Sequence, residues 1–598
     1  MTRRQRSVEE VAPWAVGLAL ATPVLVAFYP PMTDLPFHEA AVGMLRHFDD
    51  TSMLPAGLYR HNFGEPNQLF HMIGWALSYA VSTRWAVKLA VAASVVAIPV
   101  CAARFARHVG GSPLASVVVA PMALGWLFSW GLVANLMGLA ALLAVLPALD
   151  RLGSDASPRR ALAACAALVL LYFAHAAMLT VYAGAALALA ALRRGSWRET
   201  LWRLSPFVGA VVVTLAQLRW QRRFMTPAVR GMPNLWHPVA HKLSRVPYII
   251  LPATEGPAKL GMFALCVIVV ASFFWLRARE RRDRRLGHPP PSGEGAAPTD
   301  AAPTDAAAAD AAAAAQASRV ERARAWALAR RWELFAVACF GAYLAFPLSL
   351  SGATLVYQRF FPPAYAVLAL TAAPRDLWSS AARATFAALA ALPAATLFVA
   401  WPSFVDSSRQ FGDLEPLIAL VDPGSALAEV DLGPGEPWRT YSLGPAAGRI
   451  AATRGGRLAY SFASSPISPV VVERRYQWNE SLIRIGFDSW QFRPAHDLRR
   501  FRYVLLRTTD PKLAWMATFA LQAEAEYLAE SGDWVLLRSR LPTIPLTSPD
   551  EKLESPPPES VRDRVNQIVA GLRERPTIDV PPEDGSRGDG ALREGRSL

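Results

Sequence analysis

The chain has 598 residues, 53% of them hydrophobic, with 61 Lys and Arg against 47 Asp and Glu for a formal charge of +14. Repeated apolar runs near the length of about 20 residues that spans a bilayer exclude an ordinary soluble enzyme and mark a polytopic membrane protein. The arginines crowd at the ends of those runs, so the basic excess is read as membrane topology and not as nucleic-acid binding.

Thr2-Arg3-Arg4-Gln5-Arg6 opens the chain like a signal n-region, but no small-x-small cleavage site follows, and the segment is expected to stay as an anchor. The first span, Val11 to Tyr29, empties into Pro30-Pro31-Met32-Thr33-Asp34-Leu35-Pro36-Phe37-His38-Glu39. Acids and a histidine at the mouth of an apolar bundle are costly unless paired, hydrated or used, which makes this cluster the leading functional site. Asp34 and His38, four residues apart on a helix starting here, share a face, while Glu39 is rotated about 100° further round. A carboxylate beside an imidazole can accept a proton from an attacking hydroxyl or hold a divalent cation, and the spacing permits both. A plainer role is also open: Thr33 or Asp34 as N-cap of a helix from Leu35 to Phe48, with Pro36 in its first turn.

Further spans are expected at Trp85 to Ala106, Pro113 to Trp130, Gly131 to Leu149, Ala161 to Ala174, Ala176 to Leu192, Leu204 to Trp220, Lys259 to Leu276, Trp332 to Leu350, Thr354 to Thr371 and Ala384 to Trp401, about eleven in all. Gln68 to Ser82 is also apolar. If it crossed, Arg104, Arg107, the Arg159-Arg160 pair and Arg193-Arg194 would face outside, so it is laid on the outer interface or made re-entrant. All four cysteines lie inside apolar spans, which indicates neither a disulfide frame nor a zinc site. Arg277 to Arg331, rich in Arg, Pro and Ala, reads as a disordered cytoplasmic linker. From about Pro402 to Leu541 the composition becomes globular, with strands expected at Phe501 to Leu506, Ala523 to Glu530 and Trp534 to Leu537 and a helix at Pro511 to Leu521: an extracytoplasmic α/β domain. Residues 542–598 read as a disordered tail with one weak helix near Ser560 to Leu572.

Other groups expected on the outer side are Glu65, His71, Arg84, Lys88, His175 and Arg359, with Arg222, Arg223, Arg230, His237, His241, Lys242 and Arg245 in the loop after Trp220. An outer loop this basic runs against the positive-inside trend and suits a clamp for an anionic headgroup; lipid snorkelling is the plainer use.

The order of parts resembles the GT-C superfamily of integral-membrane glycosyltransferases: a first span, a long outer loop with an acid and membrane-surface helices, about ten further spans, then an extracytoplasmic α/β domain. Trp130-Gly131-Leu132-Val133-Ala134-Asn135-Leu136-Met137-Gly138-Leu139, Tyr172-Phe173-Ala174-His175, Gln358-Arg359-Phe360, Arg454-Gly455-Gly456, Tyr460-Ser461-Phe462 and Ser531-Gly532-Asp533-Trp534 are similar to stretches in uncharacterised bacterial members. The resemblance implies transfer of a sugar from a polyprenyl-phosphate lipid to a glycan, lipid or protein acceptor outside a bacterial inner (plasma) membrane, with no nucleic acid involved and no cofactor required beyond a divalent cation at most. It gives Asp34 the base role by position, with His38 and Glu39 beside it and Asp49 as the alternative, and puts Lys88 near the lipid phosphate; Glu65, His175, Arg222, Arg223, Arg245 and Arg359 complete the candidate binding set. Many members carry two adjacent acids in the first outer loop, whereas this chain has Asp34-Leu35 there and Asp49-Asp50 further on. Because fold does not imply activity, a non-catalytic lipid or glycan carrier, or an assembly partner, is the second reading.

Overall fold

A computed structural model describes residues 2–221, 234–252, 256–285, 319–349, 354–433, 446–478, 485, 488–548 and 559–574. Six described helices are long and apolar enough to cross a membrane, which makes this a multi-pass membrane protein. In chain order the membrane half holds α1 (Arg3–Val26), α2 (Leu35–Arg46), strand β1 (Tyr59–His61), α3 (Leu69–Ser78), α4 (Thr83–His108), α5 (Val133–Ser154), α6 (Pro158–Ala174), α7 (Ala176–Leu192), α8 (Trp197–Gln221), α9 (Pro257–Arg285), α10 (Arg331–Ala345), α11 (Phe361–Ala372) and α12 (Arg383–Ile418).

Two departures from the sequence reading have local causes. Pro113 to Trp130 is not one helix: it runs as a 3-10 turn over Pro113–Val119 and two short helices, Ala120–Ala123 and Trp126–Ser129. Pro121 removes an N–H and Gly125 weakens helical continuity, and the broken backbone is tolerated because the segment is buried in protein. α12 passes through Pro402 to Ile418, so the first part of the expected globular domain is the emerging end of a membrane helix. The expected linker is helical at both ends, where α9 runs on to Arg285 and a further helix spans Arg319–Ala329, and residues 286–318, 549–558 and 575–598 of linker and tail lie outside the described residues.

The C-terminal domain contains β2 (Ala426–Asp431), α13 (Ala447–Arg454), β3 (Arg457–Leu458), β4 (Val470–Val472), β5 (Tyr503–Arg507), α14 (Pro511–Leu521), β6 (Ala525–Ser531) and β7 (Trp534–Ser539). Its sheet order is β3-β2-β5-β7-β6, parallel through β3, β2 and β5 and antiparallel beyond. Period-two alternation buries both faces. Leu427, Tyr503, Leu505, Trp534 and Leu536 join the core continuous with the bundle, while Ala428, Val430, Val504, Leu506, Val535 and Leu537 form a second core. A last helix, α15 (Val561–Glu574), covers that second core with Val561 and Val565, and Arg564 pairs with Glu524 at 2.8 Å.

The loop after α1 and this domain are interlocked. β1 pairs antiparallel with β4, and α2 packs on α13 so closely that a Cβ on Gly43 would lie 2.7 Å from the Ala452 carbonyl oxygen. Gly455 and Gly456, at φ +70° and +83°, let the backbone turn against Met53, whose carbonyl accepts from the Gly456 N–H at 2.7 Å.

Candidate functional site

The chain emerging from α1 is gripped by the segment before α5. The Thr33 N–H and hydroxyl both donate to the Ser129 carbonyl, at 2.9 and 3.1 Å, and the Asp34 N–H donates to the Trp130 carbonyl at 3.1 Å. Gly131 sits at φ +75°, and a Cβ there would lie 2.6 Å from the Asp34 nitrogen, so this position requires glycine for both reasons. The Thr33 hydroxyl is thereby engaged away from α2, and Asp34, at φ −91° and ψ −2°, makes no side-chain cap bond. The N-cap role is not the one its carboxylate plays.

Among the described residues the Asp34 carboxylate takes no hydrogen bond and no ion pair within 4 Å. It is enveloped by protein yet keeps some accessible surface. Desolvation pushes its pKa up to about 7 against the lowering influence of the Arg359 guanidinium. Tyr460, from the C-terminal domain, is near enough for its phenol to feel the Asp34 charge. A carboxylate with that pKa can take a proton near neutral pH.

His38 shares the helix face but is committed elsewhere. Its Nε2 lies 3.1 Å from the Gly131 carbonyl, which only accepts, so Nε2 carries the proton; Nδ1 then accepts from His71 Nε2 at 2.9 Å. Burial holds both imidazoles below their ordinary pKa, His71 down to about 4. The neutral pair braces α2 against α3 and the Gly131 turn, and leaves His71 Nδ1 as a buried acceptor without a partner among the described residues.

The charge that acts on Asp34 is Arg359, which in turn holds His175. Arg359 follows Gln358 in a 3-10 turn, Tyr357–Phe360, and donates from Nη1 to His175 Nε2 at 3.2 Å and from Nη2 to the Thr354 carbonyl at 3.2 Å. Since His175 Nε2 accepts, its proton is on Nδ1. That N–H and the Arg359 Nε–H are buried donors with no protein partner among the described residues. His175 sits at the α6–α7 junction because Gly138 admits it: a Cβ on Gly138 would lie 2.5 Å from the His175 Cβ. Asn67 Oδ1 accepts from the Ala176 N–H at 2.7 Å, capping α7 from the segment before α3.

Other candidates serve different ends. Glu39 is fully buried and accepts from Tyr29 (3.0 Å), Thr83 (3.0 Å) and Arg449 (2.7 Å). Arg449 also pairs with Glu415 at 2.9 Å. Lys88 Nζ donates to the carbonyls of Leu25 (2.9 Å) and Ala27, closing the C-terminus of α1. Glu65 accepts from Gln221 at 3.0 Å and borders a separate cavity of about 500 Å³ with Tyr172 and Trp220. Arg245 is exposed, its guanidinium 5.2 Å from the Tyr248 ring centroid. Lys242 donates to the Leu344 (2.7 Å) and Phe346 (2.6 Å) carbonyls, and His237 Nδ1 meets the Tyr357 hydroxyl at 3.1 Å. Asp49 is exposed beyond α2, and Arg222, Arg223 and Arg230 lie outside the described residues. The residues brought together are thus Asp34, His38, His71, His175 and Arg359. Sequence reasoning assigned no role to Gly131 or Tyr460, whose signals were the Trp130-Gly131 step and the aromatic at Tyr460-Ser461-Phe462. Among the described residues no group of three or more His, Cys, Asp or Glu is placed to hold a metal ion.

No family model matches the chain, and no curated protein matches it. Among solved structures, it is similar to the crystal structure of ArnT from Cupriavidus metallidurans bound to undecaprenyl phosphate, with 13% sequence identity and a TM-score of 0.49 over 92% of this chain and 100% of that one.

Proposed function

We propose that this protein is a membrane glycosyltransferase that moves a sugar from a polyprenyl-phosphate lipid to an acceptor hydroxyl on the extracytoplasmic side. The observation that carries the reading is the Asp34 carboxylate: desolvated, partly accessible, unbonded among the described residues, and within the influence of the Arg359 charge. In the step envisaged, the acceptor oxygen bonds to the anomeric carbon as its proton passes to Asp34. The bond from that carbon to the phosphate oxygen breaks, and the leaving phosphate takes the electron pair. Arg359, whose charge acts on Asp34, and the His175 Nδ1–H beside it keep donors without a protein partner among the described residues and would meet the charge that develops on it. The polyprenyl-phosphate donor rests on the sequence resemblance.

The second reading, a non-catalytic carrier or assembly partner, draws on the engagement of Glu39, Lys88 and Glu65 within the protein. Mass spectrometry of glycolipids and surface polysaccharide decides between them, comparing a deletion strain complemented with wild type or with Asp34→Asn. A product lost on deletion, restored by wild type and not by the Asn variant, supports transfer. Restoration by both variants removes Asp34 from the mechanism, and unchanged profiles on deletion favour the carrier.

A further inference from the structure

The end of the bundle at the basic turns of α9 carries a charged recess. α9 leaves the apolar interior at Phe274 and Trp275, which are 45% and 57% exposed, and continues as the basic turns after Arg277. Arg277, Arg281 and Arg282 from α9, Arg330 and Glu333 at the start of α10, and Thr371 at the end of α11 border a cavity of about 330 Å³. Four guanidiniums there face one carboxylate.

Nearby acids neutralise this lining only loosely. Arg277 is 3.3 Å from Glu280, Arg330 is 3.7 Å from Glu333, and Arg282 is 4.0 Å from Asp283, which also serves Arg279 at 3.7 Å. Arg281 forms no ion pair or hydrogen bond among the described residues. The contrast lies one residue away: Arg331 holds Asp150 through two bonds of 2.8 Å, as a matched fork does. The recess therefore keeps uncompensated cationic charge at the level where exposed aromatic rings mark the edge of the apolar layer.

We propose that this recess binds the phosphate of an anionic phospholipid in the leaflet that borders the basic end of α9. A phosphate diester offers acceptor oxygens to several guanidiniums at once, and the exposed Phe274 face leaves room for the acyl chains alongside the helix. The site shares no residue with the Asp34 group and stands whether or not the chain transfers sugars.

The test uses the full chain in detergent micelles doped with dioleoylphosphatidylglycerol or dioleoylphosphatidylcholine, reading lipid affinity and melting temperature, with inorganic phosphate as a further arm. Phosphatidylglycerol is expected to bind in preference to phosphatidylcholine. Arg281→Gln with Arg330→Gln should weaken it by roughly five-fold per arginine, whereas Arg198→Gln, which removes one charge outside the cavity as Arg281→Gln alone removes one inside it, should leave it unchanged. Arg281→Gln alone removes a side chain with no partner among the described residues and keeps the test open should the double variant fold poorly; Arg281→Lys should recover most of the affinity. Unchanged phosphatidylglycerol affinity in folded Arg281→Gln overturns the proposal. So does displacement of the lipid by millimolar inorganic phosphate, which would assign the recess to a soluble anion.

Discussion

Asp34 is held in a state that serves no structural end. An acid whose pKa is raised on folding costs stability as pH climbs: between its ordinary value of 3.8 and about 7 the unfolded chain releases the proton while the folded one keeps it, so stability falls over that window and the loss is complete above it. Asp34→Asn should therefore raise the melting temperature at pH 8 and leave it little changed near pH 4. The gain is roughly 1 kcal/mol, well below the full shift because the carboxylate keeps some contact with water. The same variant should lower transfer by roughly 10²- to 10⁴-fold. Wild-type transfer should rise as pH passes through about 7, where the base form accumulates. A cap role predicts a different pattern, in which Asn preserves activity and Ala costs about 1 kcal/mol. Melting curves and transfer rates for Asn and Ala across pH 4 to 8 separate the two. Gly131→Ala is expected to cost roughly 1–3 kcal/mol, since alanine is strained at φ +75° and its Cβ would push on the Asp34 nitrogen. Its signature is a lower melting temperature together with slower transfer.

At the scale of elements, α2 is the hinge-pin between bundle and C-terminal domain. Arg449 on α13 joins the buried Glu39 on α2 to the part-exposed Glu415 at the end of α12, so Arg449→Ala leaves the buried Glu39 charge without a counter-ion and should cost roughly 3–5 kcal/mol. Adding Glu39→Gln should recover much of that loss. A double variant as unstable as Arg449→Ala, judged by melting temperature and by protease release of the C-terminal domain, would refute the coupling. This also explains which roles were legible in the sequence. Apolar length and period-two alternation are local, so the positions of α4, α7, β5, α14 and β7 follow from the chain itself. The partner of Glu39 is 410 residues away and the carbonyls closed by Lys88 are more than 60 residues upstream, so an acid sealed in an ion pair and a lysine capping a helix looked like site residues. Asp34, His175 and Arg359 were singled out as ionisable groups at helix mouths, but their convergence depends on Gly131 and Gly138 admitting close contacts, which no spacing rule reveals.

At the scale of the molecule, α1 is a ruler of 24 residues, about 36 Å long, whose two ends see different chemistry. Near its start Glu9 accepts from Ser112, Gly110 accepts from Arg277, and Glu280 accepts from the Arg375 N–H, so the basic ends of α4, α9 and α11 gather on one side. Beyond its other end lie Asp34, His175, Arg359 and the domain built on β2 and β5. On the positive-inside rule the arginine-rich side is expected in the cytoplasm and the Asp34 side outside, an orientation that two fusions test. A cytoplasm-active reporter fused within residues 286–318 should give signal, and an exterior-active phosphatase fused after Arg540 should be active. The reverse pair of results would turn the whole molecule over. A silent phosphatase after Arg540 beside an active cytoplasmic reporter in residues 286–318 would mean that an even number of segments crosses between them. The broken Pro113 to Trp130 segment precedes both fusions, so it would move them together. The parity between the two fusions depends instead on α10, α11 and α12, and that is where the error would have to lie.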